Sequence, residues 1–438
     1  MRRHRIDVDE NVSVWAQTVD PLERRPALEG VVNADVAIVG AGFTGMSTAY
    51  EMSRRFPDLG IVVLEARTVG NGASGRNGGM MLNWVNGIDS HDEALTKRIW
   101  ATTQQGMDWI TETIRTEDLR VRLRREGCLE TFTSQERAEE AHRKAERLQA
   151  WNIPVRFLQG PELAHYVRAD GVVGALLDPT AGQLHGLELV RELARVVTDR
   201  GVQVYEHSPV ERIEEGTTHR VHTPRGHVRA KILVLAVNGY APRLGYFGRE
   251  LFPLHSHCVA TEPLSPERQA DIGWGNVAGV VDDLDRISYG SMTGDGRLLF
   301  GGGSNASYAY RYGNATTHPD SDRGYTAVRD TMLRYFPKLR DVAIAQQWSG
   351  VLGITLNRRP TMGRRHNVLW ALGYSGHGVT LANLAGTVLA DLYAGDDERW
   401  SDLPFVNQRL PPIPPEPFRW VGYQIYTRLT GRSPRRVD

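Results

Sequence analysis

The sequence predicts an α/β chain of two domains, α+β in overall character, with one parallel-sheet domain that is discontinuous in sequence and one antiparallel-sheet domain. Three observations carry this expectation. Over Asp35 to Glu65 an apolar run, a GxGxxG turn, a helical pattern and a second apolar run follow one another, which is the order of a parallel βαβ unit. Much later, Lys231–Val237 repeats the buried-strand pattern and brings the chain back to the same sheet. Residues 286–303 read instead as a hairpin, with strand patterns on either side of a Gly-Asp-Gly turn and no helix between them, the mark of antiparallel pairing. The expected division is 1–90, 180–240 and 345–438 for the first domain, with 91–179 and 241–344 for the second.

Taken in order, residues 1–33 are polar and irregular and are expected to lie across the first domain. The basic start Met1–Asp7 has no apolar stretch behind it and is not expected to be a secretory signal. Asp35–Val39 is a short apolar run suited to a fully buried strand. Gly40-Ala-Gly42-Phe43-Thr44-Gly45 follows, then Met46 to Arg55 with Met46, Ala49, Tyr50 and Met52 at helical spacing; Gly60 is expected to break that helix. Ile61–Leu64 forms the second strand and ends at Glu65. The glycines serve a tight turn, a close approach to pyrophosphate and close helix–strand packing, and the pyrophosphate sits on the helix N-terminus. Glu65 stands where an acid accepts ribose hydroxyls, with Ala66 and Arg67 beside it. Its charge disfavours a 2′-phosphate. This unit predicts a Rossmann-type dinucleotide domain, and NAD and FAD share its fingerprint.

Beyond it, 92–120 and 135–151 are helical, and 121–133 between them reads as a hairpin with Gly127 at the turn. A loop at 178–182 leads to a helix over 187–200, closed by Gly201, and a strand at 202–205. A small meander spans 210–228. Residues 254–261 alternate as a strand, 325–336 are helical, and 348–392 return to the cofactor. The tail 418–430 combines aromatics and arginines and is expected to pack on the protein's own surface or a subunit partner.

After the second strand comes Val69-Gly-Asn-Gly72-Ala73-Ser74-Gly-Arg76-Asn77-Gly78-Gly79, a loop whose glycines let backbone amides reach a flat ring system. A second glycine turn, Gly373-Tyr374-Ser-Gly376-His377-Gly378-Val379-Thr380, opens another helix. These two strings, together with Trp348–Pro360, resemble the D-amino-acid-oxidase-like (glycine and sarcosine oxidase) flavoenzymes, and look most like the γ-glutamylputrescine oxidase branch. The resemblance implies FAD, with the first loop running beneath the flavin and the second turn's dipole at its pyrimidine edge. It also implies that Gly353 and Ile354 lie beside the ring. Met80, Val210 and Asn238 are counted with the cofactor residues. In some relatives a histidine in the first loop or a late cysteine holds the flavin covalently. Here Arg76 stands at that histidine position and no cysteine follows Cys258, so non-covalent FAD is expected.

The implied reaction is oxidation of a primary or secondary amine, with dioxygen as the acceptor, in an α/β fold whose second domain receives the substrate. His377, Tyr374, His255, His257 and Tyr289 are the candidate residues around the reacting centre. Arg76 and Asn77 are expected to hold the loop. His255-x-His257 as a metal site lacks a third ligand, and no metal is expected. Two other readings share the first fingerprint: an NAD(P)H-dependent flavin hydroxylase or reductase, and a flavin-binding protein without turnover.

Composition narrows the setting. Lys+Arg and Asp+Glu both total 52, so the formal charge is zero and nothing draws the chain generally to nucleic acid or anionic membrane. No run reaches the roughly 18 apolar residues of a membrane span. Only two cysteines occur, without CxxC spacing, which fits a cytoplasmic protein. No internal repeat is visible.

Overall fold

The computed structural model describes residues 8–20, 24–88, 91–316 and 321–430. The start Met1–Asp7, part of the 21–28 stretch and the basic extreme end lie outside the described residues.

Strand Gly30–Val39 is central to the first sheet. It pairs in parallel with Ile61–Leu64 on one edge and with Gly226–Leu235 on the other, and Gln203–Tyr205 extends the sheet in parallel beyond Ile61–Leu64. The 226–235 strand is shared on its far side. Its first half pairs antiparallel with His219–Thr223, and its second half pairs in parallel with Val368–Leu372. Val36, Ile38, Val63 and Val234 are buried in the core beneath helix Phe43–Arg55 and helix Gly378–Ala394. These two helices approach so closely that a Cβ on Gly386 would lie 2.3 Å from the Ser47 carbonyl oxygen.

The second sheet is antiparallel apart from one parallel pair, Gly279–Asp282 with Cys128–Phe132. Its longest pairing runs from Leu251↔Thr355 to Thr261↔Ile344, between strands Leu251–Thr261 and Ile344–Thr355. Ser288–Met292 and Leu298–Gly302 form the expected hairpin. Helix Asp322–Tyr335 covers one face with Tyr325, Val328 and Met332. A small third sheet joins Met80–Met81, Gly182–Leu184 and Leu123–Arg124.

Several local expectations are corrected. The helix that opens at Phe43 ends at Arg55, where its pattern was expected to end, with Phe56 capping it, but Gly60 is not what breaks it. Pro57 stops it earlier because it lacks an N–H and pushes the preceding residue out of helical conformation. The 121–133 segment is no hairpin: Leu123–Arg124 pairs with Gly182–Leu184, while Cys128–Phe132 pairs with Gly174–Asp178. A turn residue such as Gly127, at φ 76°, marks a reversal without choosing the partner. Strand 344–355, expected at the return to the dinucleotide domain, belongs to the second sheet because it is hydrogen-bonded along 251–261. Helix Glu93–Thr116, expected in the second domain, sends Ile99, Met107 and Ile110 into the core of the first. Strand 251–261 is buried on nearly every residue, not on alternate ones. The leader is not wholly irregular: it contains the helical turn Val14–Gln17, and the first strand already begins at Gly30.

Candidate active site

The first glycine turn folds as its spacing requires. Gly40 adopts φ 101°, closed to most side chains, and a Cβ on Gly45 would lie 1.9 Å from the Gly40 carbonyl oxygen. Helix 43–55 therefore starts against the end of the first strand. Gly42 at its N-cap has no side chain to cap the first turn, so the donors and dipole of that end face a cleft. Gly40, Gly42, Phe43 and Thr44 line this cleft, as do Glu65, Ala66, Val210 and Asn238 from neighbouring strand ends. Glu65 is buried, and each of its carboxylate oxygens accepts one backbone N–H, from Ala41 at 2.9 Å and from Arg67 at 3.0 Å. Burial pushes its carboxyl above the usual range, with those two N–H groups pulling the other way. Each oxygen keeps a further lone pair for a hydroxyl donor.

The glycine loop is held from three sides. Arg76, buried, donates to the carbonyls of Asn71 at 2.8 Å, Ser349 at 3.0 Å and Asp9 at 2.9 Å. Burial pulls the pKa of its guanidinium down. Ser74 Oγ accepts from Phe43 N–H at 2.8 Å and joins the loop to the first helix. Asn77 donates to the Ala73 and Ser74 carbonyls and accepts from Gly79 N–H. Gly72 opens the loop at the cleft, and a Cβ there would meet nothing within 4 Å.

The second glycine turn converges on the same place. Tyr374 OH is 2.7 Å from Thr44 Oγ1, and Ser47 Oγ donates to the Ala382 carbonyl at 3.0 Å, so two helix N-termini are tied side by side. His377 is the N-cap of helix 378–394 and its Nδ1 lies 2.7 Å from Asn86 Nδ2. Asn238 Oδ1 accepts from Gly373 N–H at 3.0 Å and packs against Gly353.

The cleft, about 170 Å³, opens into a larger cavity of about 500 Å³; Ala73, Asn77, Leu352, Gly376 and Val379 line both. Arg76, Gly78, Met80, Ile354, His377 and Thr380 line the larger one, while Ser74 and Gly378 stay with the cleft. Gly45, Arg67, Gly79 and Gly353 support the walls without lining either space.

The candidate substrate residues separate. Tyr289 lines the large cavity, its hydroxyl 3.0 Å from Cys258 Sγ and 3.3 Å from Ser256 Oγ. Burial raises its phenol well above the ordinary value, so it stays protonated. His255 and His257 do not line the cavity. His255 Nε2 lies 3.1 Å from the Ala315 carbonyl, and His257 Nδ1 lies 2.9 Å from that of Ser307, against Tyr325. The cavity takes Leu254, Ser256 and Cys258, the opposite face of the same strand. Tyr374 is likewise corrected: it walls the cleft, not the large cavity.

Sequence reasoning missed three contributions. The leader clamps the loop: Asn11 Nδ2 and Ser13 Oγ donate to the Gly75 carbonyl, and Trp15 Nε1 donates to that of Asn77 at 2.6 Å. Arg358 meets the adjacent pair Asp285 and Arg286 at the cavity wall although distant from them in sequence. Helix Phe418–Thr430 closes that wall with Phe418, Tyr423 and Tyr426. The aromatic spacing of the tail was its one visible signal.

Residues 35–392 match the family described as FAD dependent oxidoreductase. The chain is 31% identical over 432 residues to the Gamma-glutamylputrescine oxidoreductase of Escherichia coli (strain K12), covering 95% of this chain and 97% of that protein. It is 32% identical over 397 residues to a Probable oxidoreductase OrdL of Haemophilus influenzae, covering 86% of each. Among solved structures, glycine oxidase from Geobacillus kaustophilus superposes with a TM-score of 0.71 at 22% identity, covering 83% of this chain and 95% of that one.

Proposed function

Because this chain belongs to the FAD-dependent oxidoreductase family, we propose that it binds FAD non-covalently and oxidises a primary or secondary amine in the large cavity, in the cytoplasm. The observation that carries the reading is the junction itself. Two helix N-termini whose N-cap residues, Gly42 and His377, make no side-chain capping bond meet a glycine loop where a narrow cleft opens into a wider, largely apolar chamber. The residues fit the cofactor: a cradle at Gly42 and Gly72, a buried acid at Glu65 with spare acceptor capacity, and neither a histidine in the glycine loop nor a cysteine after Cys258 for a covalent bond. Bound FAD supplies the redox chemistry, taking two electrons and a hydrogen from the amine carbon and passing them to dioxygen, so that amine, water and dioxygen become aldehyde, released amine or ammonia, and hydrogen peroxide.

The chain's own residues position and protect. The parallel-sheet unit holds the dinucleotide and the antiparallel sheet presents Tyr289, Ser256 and Cys258 to the amine. Tyr289 stays neutral and offers a hydrogen bond rather than acting as a base. Asn86 fixes the His377 ring at the mouth of the second helix. Relatives named for γ-glutamylputrescine and for glycine act on amines, which supports the substrate class.

Anaerobic mixing of the purified yellow protein with an amine library tests this. Loss of the visible flavin absorbance with an amine, and peroxide on admitting air, is the expected result. Bleaching by NADPH with no response to any amine would overturn it in favour of a hydroxylase or reductase.

A further inference from the structure

One side of the large cavity carries charge that the redox reading does not use. Asp285 accepts from Arg286 Nη1 at 2.6 Å and from Arg358 Nη2, and Tyr426 OH lies 2.9 Å from each of its carboxylate oxygens. One carboxylate between two guanidiniums leaves one unit of positive charge uncompensated. Arg286 is 6% exposed. Its Nε donates to Asn305 Oδ1 at 3.0 Å, while its Nη2 is buried without a partner. An unpaired guanidinium N–H in such a place is costly unless something completes it.

The surroundings sharpen the point. Among the described residues that line the cavity, Asp285 is the only carboxylate, against Arg76, Arg286, Arg358 and Arg419. Arg76 and Arg419 spend their donors on backbone carbonyls and on Asn314, as scaffolding. The excess therefore falls on Arg286 and Arg358. The Tyr423 and Tyr426 rings lie 5.8 and 5.1 Å from the Arg286 guanidinium and shield it from water, which strengthens any ion pair formed there. Both rings belong to helix 418–430, beyond the matched residues 35–392.

We propose that Arg286, with Arg358 beside it, binds a carboxylate carried by the amine substrate at the end remote from the reacting nitrogen. This rests on the amine-oxidation reading of the same cavity. One unit of uncompensated charge calls for a singly charged anion, and a guanidinium fork suits a carboxylate. The separation follows from the lining: Arg286, Arg358, Tyr423 and Tyr426 line the large cavity but not the cleft where the glycine loop and the helix ends meet. The favoured substrate is a long ω-amino acid or an amide conjugate ending in a carboxylate.

Calorimetric titration of the FAD-loaded protein with hexanoate and with hexanamide, neither of which can be oxidised as an amine, reads the site without turnover. Hexanoate should bind at least tenfold tighter than hexanamide, and Arg286→Met should erase the difference. Equal binding of the two by the unaltered protein, or a preference that survives Arg286→Met, overturns the proposal. Should Arg286→Met fail to fold, Arg286→Lys serves: it keeps the charge, loses the fork and should reduce the preference. A parallel comparison of kcat/KM for 8-aminooctanoate and its amide separates the two readings. Oxidation of both at equal rates removes the carboxylate site and leaves the amine reading standing. A hexanoate preference with no amine oxidised does the reverse.

Discussion

At the scale of single residues, the cleft depends on contacts too short for a side chain. A Cβ at Gly42 would sit 2.8 Å from Ser74 Oγ, the atom that receives Phe43 N–H. Gly42→Val should therefore push the loop from the helix end and fill the cradle, weakening FAD at least a hundredfold, about 3 kcal/mol. Colourless purified protein that still folds, judged by circular dichroism, is the expected outcome; full FAD content would refute the assignment. Residue-scale placement was legible where spacing and backbone geometry coincide: Gly40, Gly42, Phe43, Thr44 and Glu65 line one cleft. It was not legible on strand 251–261. Period-two alternation tells that His255 and His257 share a face, but not which face meets the cavity. That is decided by packing against helix 322–335, where His257 meets Tyr325. Composition drew attention to histidines, and the cavity took serine and cysteine.

At the scale of elements, two segments at opposite ends of the chain close the site. In the leader, Trp15 Nε1 donates to the Asn77 carbonyl. Trp15→Phe keeps an aromatic ring but removes that bond, worth about 1 kcal/mol, together with part of the indole's packing. FAD should dissociate roughly five- to tenfold faster, measurable by fluorescence of released flavin; unchanged release would show that the leader does not steady the loop. At the other end, Asp285 latches helix 418–430 through Tyr426. Burial pulls its carboxyl up, but Arg358 and Arg286 outweigh it, and the net shift is downward. A depressed folded value means the latch is fully present above the ordinary carboxylate range near 3.9 and is lost as pH falls through the folded value. Hydrogen exchange of peptide 418–430 should thus be constant, after correction for intrinsic rates, from about pH 8 to 5 and rise only below about pH 4. Asp285→Asn should expose the helix throughout. The tail helix itself was legible from its aromatic spacing. Its partner was not, because nothing local to Asp285 indicates a residue so far along the chain.

At the scale of the whole molecule, the parallel unit was readable because its contacts are short-range: strand, turn, helix and strand fall within Gly30 to Leu64. The second sheet was readable in kind but not in pairing. Leu123–Arg124 and Cys128–Phe132 find separate partners far along the chain, and strand propensity says nothing about which edge is free. One junction between the parts makes a global prediction. His185 caps helix Gly186–Asp199, its Nδ1 accepting from Glu188 N–H at 3.2 Å while Nε2 lies 3.1 Å from Thr18 Oγ1. The ring joins leader, helix and loop, since Gly186 packs on the Ser74 carbonyl. Burial, reinforced by nearby Arg122, drives its pKa from 6.5 to about 3. The folded ring is neutral, whereas the unfolded ring takes a proton below about 6.5. Its contribution to stability is therefore complete above that value and declines as pH falls from there toward about 3. One proton sets the limiting slope at about 1.4 kcal/mol per pH unit, hence up to about 2 kcal/mol between pH 6.5 and 5. Asparagine at this position keeps a capping oxygen and does not titrate. Urea unfolding of the parent chain and of His185→Asn across that interval isolates the effect, because every other ionising group is common to both. The parent should lose stability more steeply, by about one proton's worth; parallel curves would mean that the ring is protonated in the folded protein and that the leader is not held to the helix by a neutral imidazole.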